Sequence, residues 1–177
     1  YDLEEGNVFI GDSHTTSYST PKARVSRRNG LTLHGAIRNG YFEEELEKFN
    51  DVESVTLCAG SIDIRHHLMR QPDPDAAVAE LADAYIDLAV NISFDHTVEV
   101  SLCAPVPVEF EGRKIPKTGY YRDEPFAGGQ EQRAALTQQF INRLEASNFK
   151  VVKPPQEWYE MDPEVYAKEN MELSSSV

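Results

Sequence analysis

A chain of 177 residues is long enough for one domain with a sizeable core, and 40% hydrophobic against 27% charged residues marks it as globular rather than disordered. A formal net charge of −13 argues against nucleic-acid backbones and anionic membranes as partners, and no apolar run is long enough to span a bilayer. No signal peptide is visible from Tyr1 onward, although one removed upstream would not be seen.

After a polar lead-in over residues 1–6, residues 7–10 read as a short buried strand. Gly11 breaks it, and Asp12, Ser13, His14 and Thr15 follow at its C-terminal end. That end of an open α/β sheet is where ligands bind. Gly11 permits a tight turn and Asp12 can accept the following backbone N–H groups, leaving the Ser13 hydroxyl exposed. The plainer reading is a strand followed by an Asx-turn. Residues 14–29, rich in Ser, Thr and basic residues, read as loop with a short helix after Ser13. Residues 31–33 read as a second strand, ended by His34-Gly35.

Phe42, Leu46 and Phe49 at i, i+4, i+7 predict a short amphipathic helix over 41–49. Residues 55–59 are a continuous apolar run, the mark of a strand covered on both faces. Pro72-Asp73-Pro74-Asp75 starts a helix that runs to about Ile92, with Val78, Leu81, Ala82, Tyr85 and Ala89 on one face. Residues 97–104 form a fourth strand and 111–129 a long polar loop holding Tyr120, Tyr121 and Arg122. Leu136, Phe140 and Leu144 line a helix over 130–147, and residues 149–152 are a fifth strand before an acidic, aromatic tail. Cys58 and Cys103 sit inside apolar strands, as buried free thiols that fit cytoplasmic residence, and no Cys or His spacing suits zinc. Alternating short apolar strands and helices predict one domain over 1–177, a three-layer α/β/α sandwich on a parallel sheet. Periodicity leaves the strand order open.

Gly11-Asp12-Ser13-His14 resembles the first block of the SGNH (GDSL-type) hydrolases, with His14 replacing the leucine of the better-known form. The G-D-S-H version resembles the branch found among carbohydrate O-acyl esterases and acyltransferase-linked domains. Gly35 fits the second block, a glycine after the second strand. Gly60-Ser61-Ile62-Asp63 matches the third, G-x-N-D, at Gly and Asp, with Ile62 at the Asn position. The longer run from Ala59 to His67 resembles a G-E-I-D-x-R-x-H pattern of one subgroup, with Ser61 where that subgroup has Glu. The resemblance implies a five-stranded flavodoxin-like sheet in the order 2-1-3-4-5. It also implies Ser13 as nucleophile, an oxyanion hole from the N–H groups of Ser13 and Gly35, and no metal or organic cofactor. The family's last block, Asp-x-x-His, supplies the base. Residues 171–177 resemble the approach to it, with Ser175 at the Asp position, and no His follows His96. Two explanations stay open: the chain is cut short of the base, or the dyad is absent.

The other candidates each have two readings. Ile62 donates nothing, so Arg65 either replaces the missing oxyanion donor or pairs with Asp63 or a surface acid. Asp63 braces the loop through backbone N–H groups. His66 or His67 either substitutes as base or is structural. Asp12 and His14 flank the nucleophile as substrate contacts or supports. Tyr120, Tyr121 and Arg122 either bind a sugar or pack their own loop. The leading expectation is a serine esterase or acyl-transfer enzyme acting on small O-acyl esters, carried on carbohydrate. The alternative is an inactive member of the fold that binds a glycan or a protein. A phosphate-binding turn is disfavoured, since no Lys stands at P-loop spacing and no G-x-G-x-x-G occurs. Geometrically, Ser13, Gly35 and the Gly60–Asp63 turn are expected at one mouth of the sheet, with Arg65 reaching it and Val177 close to Ser13.

Overall fold

The computed structural model describes residues 6–108, 117 and 119–160. The sequence expectations about residues 1–5, most of 109–118, Ser175 and Val177 lie outside them. Five parallel strands form one sheet: β1 (Asn7–Gly11), β2 (Arg24–Arg27), β3 (Ser54–Cys58), β4 (Glu99–Cys103) and β5 (Lys150–Val152), in the order β2-β1-β3-β4-β5. The helices are α1 (Thr15–Tyr18), α2 (Leu33–Arg38), α3 (Tyr41–Leu46), α4 (Pro74–His96), α5 (Gln130–Glu145) and α6 (Gln156–Glu160). A π-helical turn (Asp63–His67) and a 3₁₀ turn (Leu68–Arg70) link β3 to α4.

Strand alternation sorts the layers. Val8, Ile10, Val55, Leu57, Val100 and Leu102 face the main core, against buried side chains of α2, α3, α4 and α5. Phe9, Cys58 and Cys103 face the other way, towards Tyr18 of α1. The result is the expected α/β/α sandwich with the expected strand order. The two thiols are buried and free, with Sγ atoms 2.7 Å apart. No helix among the described residues is long and apolar enough to cross a membrane.

One strand lies elsewhere than expected. Residues 31–33 are not β2; Thr32 caps α2, its Oγ1 accepting the Gly35 N–H at 3.1 Å, and Leu33 is already helical. A Thr three residues before a free backbone N–H is a helix start signal, which outweighs a three-residue apolar run. The true β2, Arg-Val-Ser-Arg, is a sheet edge with half-exposed side chains. It has no need of the apolar pattern that marks a covered strand.

Gly11 is the last residue of β1 rather than a breaker beyond it, paired with both Cys58 and Arg27. A Cβ there would stand 1.9 Å from the Cys58 carbonyl oxygen, the same oxygen that accepts the Asp12 N–H at 2.8 Å. Backbone, not a flexible side-chain tip, blocks the space. Gly11→Ala is therefore expected to lower unfolding free energy by about 1–3 kcal/mol, the usual cost of overpacking. Urea denaturation checks this; an unchanged midpoint would show that β1 and β3 can separate there freely.

Candidate active site

Parallel strands deliver their C-terminal ends to one edge. The register Gly11 opposite Cys58 and Arg27 sets the Ser13 turn beside both the Gly60–Asp63 turn and the loop that leads into α2. The Arg28 N–H donates to Gly11 O at 2.9 Å and fixes that loop against the Ser13 turn. Three chain segments thus run along one mouth.

The Ser13 turn is held from below. Asp12 is buried, and its Oδ1 accepts the His14 N–H at 2.9 Å. Its carbonyl accepts the Thr15 hydroxyl at 2.7 Å and the Thr15 N–H at 3.2 Å. Every bond belongs to a neighbour of Ser13. The serine itself is exposed at the apex, and among the described residues neither its hydroxyl nor its N–H has a hydrogen-bond partner. His14 is partly buried, with Nδ1 at 3.6 Å from Asp12 Oδ1. Asp12 is thus a support under the turn rather than a group open to substrate.

Asp63 begins the π turn and is 1% exposed. Its Oδ2 accepts the Leu33 N–H at 2.7 Å and its Oδ1 the His34 N–H at 3.1 Å. One carboxylate thereby ties the third segment of the mouth to the start of α2. Burial pushes its pKa up to about 6, against the opposing pull of the two N–H donors. Gly60 takes φ +118°, a conformation that suits glycine, with Phe140 and Leu33 packed beside it.

Gly35 departs from expectation. It lies in the first turn of α2, not on a strand-ending turn, and its N–H is engaged by Thr32 Oγ1. As an oxyanion donor it would first have to leave that cap. Ser61 and Ile62 precede the π turn, and Arg65 is half-buried on it.

His66 is buried, stacked on Phe126 with centroids 5.0 Å apart and planes 17° off parallel. Burial, then the charges of Arg65 and other neighbouring cations, lowers its pKa to about 4. It is neutral at neutral pH, and a base that weak accepts a proton poorly in a reaction run there. His67 is held edge-on by Tyr121 at 4.8 Å, and the Arg70 guanidinium lies 4.2 Å from the Tyr121 ring centre. Tyr120 is exposed, edge-on to Tyr121 at 4.9 Å. Arg122 is exposed and its Nε is 3.4 Å from Asp123 Oδ2. The loop therefore packs its own Tyr121 and Phe126 against the π turn, while Tyr120 and Arg122 stay on the surface.

Arg133, fully buried at the start of α5 with its guanidinium 4.7 Å from the Phe126 ring centre, has no counterpart among the residues that sequence motifs single out. Neither do Arg70 and Phe126. Their contacts join segments far apart in the chain, and no local period announces them. Among the described residues, no group of three or more His, Cys, Asp or Glu is placed to hold a metal ion.

No family model matches the sequence, and no curated protein matches it. Solved structures do. An acetyl xylan esterase, AlAXEase, superposes with a TM-score of 0.53 at 14% identity, over 94% of this chain and 84% of that one. Est24, a carbohydrate acetylesterase from Sinorhizobium meliloti, gives a TM-score of 0.54 at 13% identity, over 83% of each chain. At such identities the likeness establishes the fold alone, the α/β/α sandwich on a five-stranded parallel sheet described above.

Proposed function

We propose that this chain is a serine ester hydrolase that removes small acyl groups, acetyl above all, from carbohydrate. The observation that carries the reading is the Ser13 turn: an exposed hydroxyl at the C-terminal end of β1, with no hydrogen-bond partner among the described residues, while Asp12 Oδ1, the His14 N–H and the Thr15 hydroxyl and N–H beside it are all engaged. The fold shared with two carbohydrate esterases supports it. In the reaction, Ser13 Oγ bonds to the ester carbonyl carbon and its proton passes to a base. The oxyanion then collapses, the sugar oxygen departs and takes up the proton, and water releases acetate from Ser13. The Ser13 N–H is the donor best placed in sequence for that oxyanion. The resemblance puts the base in the C-terminal block, outside the described residues.

A second reading, a glycan-binding domain without turnover, draws on two observations. Ile62 offers no donor where the family has Asn, and the Gly35 N–H is already engaged by Thr32. A fluorophosphonate probe separates the two. It reacts only with an activated serine, so one adduct on the Ser13 peptide is expected by mass spectrometry. Ester hydrolysis without an adduct on Ser13 would refute the assignment; neither hydrolysis nor adduct favours the binder.

A further inference from the structure

Asp63 has a second setting. Besides tying the mouth to α2, it lines a cavity of about 360 Å³ between α2, the π turn and α4. Cavities of roughly 300–1,000 Å³ are the size that holds small ligands. The core-facing stripe of α4 runs through Val78, Ala82 and Tyr85. The cavity is walled by the adjoining stripe, Ala77, Glu80 and Ala84, where two alanines leave open what larger side chains would fill. Ile37 of α2 and Leu81 of α4 supply apolar wall, and His34, His67 and Glu80 supply polar groups.

The chemistry of the lining selects a ligand class. Asp63 and Glu80 are acids, and no Lys or Arg is among the described residues that line the space, so an anion is disfavoured. An apolar wall with acceptors and imidazoles at its rim suits a ring that has C–H faces and hydroxyl edges. His67 is also fixed in advance, since Tyr121 abuts it and Arg70 abuts Tyr121. A pre-oriented polar group loses little entropy when a ligand binds.

We propose that this cavity is a subsite for a neutral sugar ring of the glycan whose ester is cleaved at Ser13. The inference rests on the esterase reading, and the two can fail separately. The test compares wild type with Ala84→Phe, which fills the cavity from a half-buried helix position, and with Ala77→Leu as a milder plug. Substrates are p-nitrophenyl acetate and a panel of partially acetylated oligosaccharides of xylose, glucose, mannose and N-acetylglucosamine. With unchanged thermal melting, the plugs should raise KM for the best oligosaccharide about tenfold, equivalent to about 1.4 kcal/mol, and leave p-nitrophenyl acetate hydrolysis as in wild type. Equal kinetics on both substrates would overturn the subsite and leave the esterase intact. A wild type that hydrolyses nothing would instead overturn the esterase. Titration of wild type with the deacetylated panel then decides the cavity: binding abolished by Ala84→Phe sustains it, and no binding removes it.

Discussion

Replacing Ser13 by alanine is expected to cut p-nitrophenyl acetate hydrolysis by at least about a thousandfold while the protein melts as wild type does. The two halves of that result have separate causes. The Ser13 side chain is exposed and has no hydrogen-bond partner among the described residues, so its loss leaves no buried group unpaired. A surface truncation of that kind shifts stability by about 0.5 kcal/mol or less. The turn keeps its shape because Asp12, His14 and Thr15 make its bonds. Chemistry, in contrast, loses the only atom proposed to bond to the substrate. What remains is whatever the site contributes by binding and polarising the ester without a nucleophile. A rate equal to wild type would place the reaction elsewhere or nowhere on this chain, and the glycan-binding reading would take over.

The different fates of Ser13 and Gly35 show how much of this site is legible in the sequence. The Ser13 turn is local: a glycine, an Asx acceptor and a serine within four residues specify a strand end, and the structure builds it from bonds among those same residues. The second segment is not local. Whether Leu31-Thr32-Leu33 pairs as a strand or starts a helix depends on which segment takes the sheet edge. Arg24–Arg27 takes it, with a half-exposed pattern that resembles loop. Once β2 lies there, Thr32 is free to cap α2, and Gly35 moves from a strand end into a helix. The strand order survives this error because the resemblance of the sequence blocks implies it, and exchanging residues 31–33 for Arg24–Arg27 leaves five strands in the same chain order. The cluster around His66 is the least legible part. Its stacking on Phe126 and the place of Arg133 arise from tertiary packing of the loop before α5, and hydrophobic periodicity carries no trace of an arginine buried at 0% exposure.

Asp63 should set a distinct pH dependence of stability. Its two oxygens accept the N–H groups of Leu33 and His34, one buried and one partly buried, so Asp63→Ala strips both of their partner. At about 1–3 kcal/mol for each donor left unpaired, the loss is several kcal/mol, enough to loosen the join between the π turn and α2. Asp63→Asn keeps the shape and one acceptor while removing the charge. Burial raises the folded-state pKa to about 6, from the 3.8 of an ordinary aspartate. A raised carboxyl binds its proton more tightly in the folded than in the unfolded chain. Its favourable contribution is therefore complete below the unfolded pKa and is lost as pH rises through about 6. A rise of that size corresponds to about 3 kcal/mol. The two proteins differ only at this position, so the difference between wild type and Asp63→Asn isolates the Asp63 carboxyl. Urea unfolding at pH 4 and pH 7 is expected to show wild type gaining on Asp63→Asn at pH 4 and losing most of that advantage at pH 7. A difference that grows towards neutral pH would mean that the N–H donors of Leu33 and His34 dominate over burial. Asp63 would then be a firmly ionised clamp rather than a carboxyl held near its titration point beside the mouth.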